Sequence, residues 1–414
     1  MSVKIPISKL TNEQKDLADQ ITGIQLKDCR YLEPYKIMNN NVYFPFGFAT
    51  QKLKLPRPPR DKTISFNAKF NAKLRDQQKV VKKEAIKFLN KDGCVLLALF
   101  CGYGKTCIAI NMSCSIKMKT LVIVNKLVLI KQWKKSIEEF TNAVVQKLDT
   151  KSKFDDEADF YIMNAVNVPK MGHKFFSKIG LLIVDECHSI MAEQISYLMN
   201  YVQPRYLIGL SATPYRVDDL NVLLDLYFGS NRIHRKLNHF HKVFLVKTDF
   251  KPEMGVTAQG RVDYNSILKS ISESVERNEI IISLVKKYKD RNFLILVKRL
   301  SQGEYLMKRL TDEGEYADSL LGKKQKFDKE ARILIGTASK VGTGFDHKKL
   351  DSLILGAPVK EYFIQFLGRV FRRKDITPFI FDLLDKNPIL MKHYRDRREI
   401  YKEHGGKIYP YSDF

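Results

Sequence analysis

The stretch VLLALFCGYGKT, Val95 to Thr106, decides how this chain is built. An apolar run, Val95–Phe100, leads into the glycine loop CGYGKT, Cys101–Thr106, and a helix-like segment follows. Strand, glycine loop, helix is the order in which a chain cradles phosphate groups. The loop N–H groups and the helix N-terminus then point at the anion. Gly102 and Gly104 let the backbone come close to the phosphates. Lys105 reaches the β- and γ-phosphates, and the Thr106 hydroxyl ligates magnesium. The position five residues before Gly104, where the full loop pattern has a glycine, holds Leu99.

The same alternation of apolar run and helical stretch spreads outward from that loop. Val95–Phe100, Thr120–Val124, Asp159–Met163, Leu181–Val184 and Tyr206–Leu210 form one block. Val243–Lys247, Phe293–Val297, Arg332–Ile335, Ser352–Leu355 and Phe379–Leu383 form a second. Short runs of this kind read as strands buried on both faces, in parallel sheets wrapped by helices. Two blocks predict two α/β domains, joined near the polar SNRIHRK around residues 230–240. Residues 1–70 read as a small accessory unit. Ser8–Ile21 has helical spacing, VYFPFGF (Val42–Phe48) is strand-like, and Leu55–Arg60 carries three prolines as a stiff connector. The charged segment Leu390–Gly405 reads as an exposed helix.

Composition narrows the partners. The 414 residues carry a net charge of +25, and 44% are hydrophobic, enough for sizeable cores. So large an excess favours a polyanion, nucleic acid ahead of a membrane surface. Between Gln51 and Lys91 thirteen basic residues face Asp61, Asp76 and Glu84, with Phe66 and Phe70 among them. That stretch is either an interleaved basic and aromatic surface or a solvated linker face. The six cysteines show no CxxC pair, so neither a structural metal nor a disulfide framework is expected, and the protein reads as intracellular. Neither a signal peptide nor a membrane span is expected.

The second chemical signature is LLIVDECH, Leu181–His188. A strand ends in two carboxylates, and at a strand's C-terminal edge these face the phosphate loop. Asp185 would hold magnesium, and Glu186 would orient and polarise the attacking water.

Further strings complete an ordered set: LRDQQ (Leu74–Gln78) upstream, then GLSATPYR (Gly209–Arg216), GTASKVGTGFD (Gly336–Asp346) and QFLGRVFRR (Gln365–Arg373) downstream. The set resembles the superfamily 2 helicases and translocases, in the branch of the xeroderma pigmentosum group B helicase and the type III restriction motors. The layout is most similar to the transcript-release helicases of nucleocytoplasmic large DNA viruses, of poxvirus type. Such relatives commonly lack the first loop glycine, which accounts for Leu99.

The resemblance implies two RecA-like domains in tandem (71–235 and 236–414, the second ending in a basic helical tail) after the accessory unit 1–70. It implies ATP and Mg2+, with ATP taken between the two domains. It gives adenine reading to Gln78 with Arg75 beside it, and coupling of nucleotide state to domain movement to Ser211 and Thr213. Gly344 and Asp346 contact nucleotide and strand backbone; Gln365, Arg369 and Arg372 belong to the last motif. Arg372 is the expected arginine finger, with Arg369 its partner. Asn125 and Lys126 stand where relatives carry a proline–threonine pair; with Gln132 and Lys298 they are expected on the nucleic-acid backbone. Gln132 and Trp133 match the end of that motif, and Trp133 reads as core ahead of base stacking. The implied activity is 3′ to 5′ movement on DNA, more than RNA, in concert with viral transcription machinery, in host cytoplasm, viral factory or virion. An RNA helicase and a nucleic-acid-binding scaffold with a vestigial ATPase are the alternatives.

Overall fold

The computed structural model describes residues 1–25, 31–61, 64–190, 200–212, 221–342, 345, 347–359, 363–373 and 375–411. The chain divides into two compact units, Met1–Arg235 and Lys236–Phe414.

The first unit is organised on a seven-stranded sheet, all parallel. Its spatial order is Arg232–Arg235, Cys94–Leu99, Tyr206–Ser211, Leu181–Val184, Thr120–Val124, Phe160–Asn164, Val145–Leu148. Alternate side chains feed two cores. Leu96, Leu121, Leu182 and Val184 enter one; Val95, Leu97, Val122, Leu181 and Ile183 enter the other, with helices Asp76–Asp92 and Lys105–Ile116. Helix Asp76–Asp92 stops at Gly93, whose φ of 81° only glycine adopts freely and where a Cβ would lie 2.4 Å from Arg57.

The second unit repeats the plan: a seven-stranded parallel sheet in the order Ala317–Leu320, Ile333–Thr337, Phe293–Val297, Ser352–Leu355, Phe379–Leu384, His241–Lys247, Gly406–Tyr411. Each unit is thus a RecA-like α/β domain. All ten strands expected from the apolar runs are present within two residues. The four that the runs do not announce, Arg232–Arg235, Val145–Leu148, Ala317–Leu320 and Gly406–Tyr411, are the two edges of each sheet. Edge strands bury only part of their length, so their sequences carry polar residues.

The N-terminal segment forms an antiparallel sheet, Ser2–Pro6, Asn41–Pro45 and Lys36–Met38, after which Phe48–Lys52 makes a π-helical turn. The expected early helix runs Asn12–Asp19, capped by Thr11 and Gln14. Val3, Val42, Phe44 and Phe46 share one core with Leu121 and Leu182, so this segment packs continuously with the first sheet.

Three expectations change. The proline-rich connector is fastened down: Arg57 donates to the Leu89 and Asn90 carbonyls at 2.8 and 3.1 Å, Arg60 to Lys117 O at 3.1 Å, and Arg205 to Pro58 O at 2.6 Å. Arg57 and Arg60 therefore satisfy carbonyls at two helix C-termini, where a cation is favoured. Phe66 and Phe70 pack against Phe160 and Phe140, so the basic stretch presents no aromatic face. The C-terminal segment is a helix, Pro388–Glu403, but it is docked rather than exposed, burying Leu390, His393, Arg397 and Tyr401. No helix among the described residues is long and apolar enough to cross a membrane.

Candidate functional site

Five neighbouring strands of the first sheet run parallel, so their C-terminal ends line one edge. Along that edge the loops follow in the order phosphate loop, Ser211–Ala212, Asp185–Glu186, Asn125–Lys126, and Asn164–Val166. The residues expected to handle nucleotide fill the first three places. Asn125 and Lys126, expected on nucleic acid, fill the fourth.

The phosphate loop depends on its glycines. Gly102 and Gly104 have φ of 89° and 96°. A Cβ on Gly102 would meet nothing within 4 Å, so the loop's outer face is open. A Cβ on Gly104 would lie 2.3 Å from Gln78 Nε2, so any other residue there is strained and displaces that amide. Lys105 opens helix Lys105–Ile116, and its ammonium rests on Leu99 O at 3.0 Å. Thr106, next in that helix, is half-buried. Arg75 and Gln78 both grip the loop at the Tyr103 carbonyl, Gln78 Nε2 at 2.9 Å. Gln78 is buried, and its Oε1 accepts the Arg75 N–H at 2.9 Å. Both ends of its amide are thus engaged in shaping the loop.

Asp185 is buried at the end of Leu181–Val184. Its Oδ2 accepts from Trp133 Nε1 at 2.8 Å, its Oδ1 from the Glu186 N–H at 3.0 Å. Burial and the adjacent Glu186 push its pKa up to about 6, against the Trp133 hydrogen bond and the positive charge of Lys105. Glu186 has φ of 47°, a left-handed conformation that costs a non-glycine residue about 1–2 kcal/mol. Its Oε2 is buried without a hydrogen bond among the described residues, 3.4 Å from His188 Nδ1. His188 Nδ1 lies 2.8 Å from Ser211 Oγ, and all three side chains belong to one cluster. An orphaned carboxylate oxygen on a strained residue is a group held ready for a ligand. Buried carboxylate, nearby ammonium and open glycine loop together fit a magnesium–triphosphate.

On the neighbouring strand end, Asn125 is half-buried, and its Oδ1 has no hydrogen-bond partner among the described residues. Lys126 is exposed overall, yet burial of its ammonium end lowers its pKa while the Glu186 charge raises it. The two halves of the edge therefore meet at Lys126 and Glu186. Gln132 is half-buried on helix Leu127–Phe140. Trp133 is core, as expected, but the core it joins is the wall of the site. Trp133 ends the LVIVNKLVLIKQW string, and His188 and Ser211 lie in the DECH and SATP strings, but none of these strings signals that the side chains bond to one another.

In the second unit, Lys298 is exposed just after strand Phe293–Val297. Helix Phe363–Val370 carries Gln365 and Arg369, both buried. Arg369 donates to the Gly342 and Phe345 carbonyls, the former at 3.0 Å, so its guanidinium braces the chain around Phe345. Arg372 is half-buried beyond the helix. Thr213, Gly344 and Asp346 lie outside the described residues. Among the described residues, no three His, Cys, Asp or Glu side chains form a metal-binding group.

Comparison with known proteins agrees with this geometry. The family model of the type III restriction enzyme res subunit matches residues 71–216. Protein 161L of Invertebrate iridescent virus 6, named as a helicase, is 42% identical over 91% of this chain and 91% of its own length. L396 of Acanthamoeba polyphaga mimivirus, named as an ATP-dependent RNA helicase, is 24% identical over 96% of this chain and 85% of its own. The DNA 3′-5′ translocase XPB2 of Sulfurisphaera tokodaii is 23% identical over 80% and 86%. Among solved structures, S. cerevisiae Dbp5 bound to RNA and ADP BeF3 superposes with a TM-score of 0.57 at 14% identity, covering 80% of this chain and 89% of that one; this likeness concerns the fold alone. With a 42% identical helicase-named relative along nearly its whole length, the chain belongs to the superfamily 2 helicases, nucleic-acid-dependent ATPases related to the group B and type III restriction motors, in the line carried by large DNA viruses.

Proposed function

We propose that this chain is an ATP-driven motor that moves 3′ to 5′ along DNA and acts in viral transcription, releasing transcripts or remodelling stalled complexes in the infected cell. The observation that carries the motor reading is the shared sheet edge, where buried Asp185 and half-buried Glu186 stand between the phosphate loop and Asn125–Lys126. The preference for DNA is supported by the XPB2 relative, which is named as a DNA 3′-5′ translocase.

In this reading Lys105 and Thr106 hold the β- and γ-phosphates, with loop N–H groups on the remaining oxygens. Magnesium, when bound, would be held by Asp185 and Thr106 and would neutralise charge on the phosphates. Glu186 takes the attacking water, its unpaired Oε2 accepting the water's proton. Gln78 and Arg75 serve the adenine and the loop. Arg372 neutralises the transferring phosphoryl group with Arg369 as its partner, the latter bracing the Gly342 and Phe345 carbonyls. Gly344, Asp346 and Gln365 line the nucleotide, and Ser211 and Thr213 transmit its state. Asn125, Lys126, Gln132 and Lys298 touch phosphates and sugars, contacts that position a strand without reading its sequence.

The test is ATP hydrolysis with and without single-stranded DNA or RNA, comparing wild type with Glu186→Gln. The expected outcome is stimulation by DNA above RNA, and a rate lowered about 100-fold or more in the variant. Displacement of streptavidin from one end of a biotinylated strand reads direction. Equal rates in the two proteins would sink the motor. An RNA-only response would favour the second reading, an RNA helicase, which the name of the mimivirus relative supports.

A further inference from the structure

Trp133 is the single tryptophan of the chain. It is 2% exposed, near the middle of helix Leu127–Phe140. Its indole packs in the core with Leu129 and Ile137, which would be reason enough for an aromatic residue there. Its polar edge is not accounted for by packing. Nε1–H donates to Asp185 Oδ2 at 2.8 Å, and an indole nitrogen can only donate. The other oxygen, Oδ1, accepts the Glu186 N–H at 3.0 Å. One donor on each oxygen fixes the plane of the carboxylate and leaves lone pairs on both for an incoming ligand. Donors that orient a metal-holding carboxylate in this way set the metal site as much as the carboxylate does.

The second half of the argument is the helix. It begins immediately after Asn125–Lys126, with Lys126 as its N-cap. One rigid element therefore has its first turn at the nucleic-acid end of the edge and its indole on the magnesium carboxylate. Any displacement of the helix start is delivered to Asp185 through a single hydrogen bond.

We propose that Trp133 is a positioning residue: its indole N–H sets the orientation of Asp185 for magnesium and ties that orientation to the seating of helix Leu127–Phe140 against nucleic acid. The inference rests on Asp185 as the magnesium carboxylate. It predicts that the motor carries its own reporter, since every tryptophan photon comes from one ring at the metal site.

The experiment uses the full chain and ADP with Mg2+ as the probe. Tryptophan emission of the wild type changes saturably with Mg2+ and ADP, and a single-stranded oligonucleotide shifts the same emission. In Trp133→Phe, which keeps an aromatic ring and loses the donor, calorimetry gives a half-saturating Mg2+ concentration for ADP binding raised about 10-fold or more. ADP affinity without Mg2+ is unchanged. A purely structural indole lowers the melting temperature of the variant and leaves the Mg2+ requirement within twofold of wild type, which overturns the proposal. So does wild-type emission that stays constant when calorimetry shows the site filled, a readout that stands even if the variant does not fold. Absence of any ADP binding to the wild type refutes the nucleotide site itself, and this inference with it. Normal Mg2+ dependence in the variant beside a nucleic-acid-stimulated ATPase refutes the inference alone.

Discussion

Cutting the ion pair under the C-terminal helix should destabilise the second unit and leave the first unchanged. Asp382, fully buried on strand Phe379–Leu384, accepts from Arg397 Nε at 2.9 Å, Arg397 Nη2 at 2.7 Å and Tyr401 Oη at 2.8 Å. Arg397 also donates to Val359 O at 3.0 Å and is 4% exposed. In Asp382→Ala the guanidinium stays in the core with one carbonyl partner. Leaving a buried charge uncompensated costs about 3–5 kcal/mol. For a unit of this size about 1 kcal/mol moves the melting temperature by roughly 2–4 °C, so the second transition should fall by roughly 6–20 °C. Arg397→Met should cost a similar amount, because Asp382 then keeps Tyr401 alone. The double variant Asp382→Val/Arg397→Met removes both charges and should recover most of the loss, to within about 1–2 kcal/mol of wild type. Differential scanning calorimetry of the full chain reads two transitions, and the first should not move. Helix Phe363–Val370 leans on the same place through the Phe363–Tyr401 ring contact at 5.2 Å, so ATP turnover should fall in both single variants. The reasoning is refuted if the single variants cost under about 1 kcal/mol, or if the double variant loses the sum of the two.

Two further outcomes concern the phosphate loop and the carboxylates. Gly104→Ala places a Cβ against Gln78 Nε2 at a φ of 96°; strain of about 1–2 kcal/mol and a broken Gln78–Tyr103 bond of about 1 kcal/mol or more should weaken ADP binding by roughly 30-fold or more, measured by calorimetry, with the helical circular dichroism unchanged. Burial and the Glu186 charge raise the Asp185 pKa to about 6 from an ordinary 3.8, so between those values the folded state binds more protons than the unfolded one. By linkage, this group's contribution to stability therefore falls as pH rises from about 4 to 6. ATP turnover should run the other way, dropping as pH falls through about 6 when Mg2+ is scarce, and the midpoint should move to lower pH as Mg2+ is raised; a midpoint indifferent to Mg2+ would remove Asp185 from the metal site.

How much of this is legible in sequence follows from burial. A central strand such as Leu181–Val184 is buried on both faces and reads as an unbroken apolar run. An edge strand such as Gly406–Tyr411 keeps Lys407 and Pro410 exposed and reads as tail. The phosphate loop and DECH are local because the chemistry needs their residues adjacent. Arg397 looks like one of many surface charges, since its partner Asp382 sits on the preceding strand, 15 positions earlier, at a spacing no local motif fixes. Arg57 and Arg60 mislead for the same reason: a cation closing a helix C-terminus and a cation awaiting a phosphate are spelled alike. Trp133 is rightly core by its ring, while its one polar atom answers to a residue 52 positions on.

Strand His241–Lys247 lies between Phe379–Leu384 and Gly406–Tyr411, both made long after it. More than 130 residues separate its end from the start of its first partner. At roughly 5–20 residues per second, a ribosome takes about 7–26 seconds to cover that distance. Throughout that time an apolar strand, HKVFLVK, has both hydrogen-bonding edges unmatched. The second unit is then the slow and aggregation-exposed half of the molecule, and a chaperone has most to hold there while the first unit is already complete.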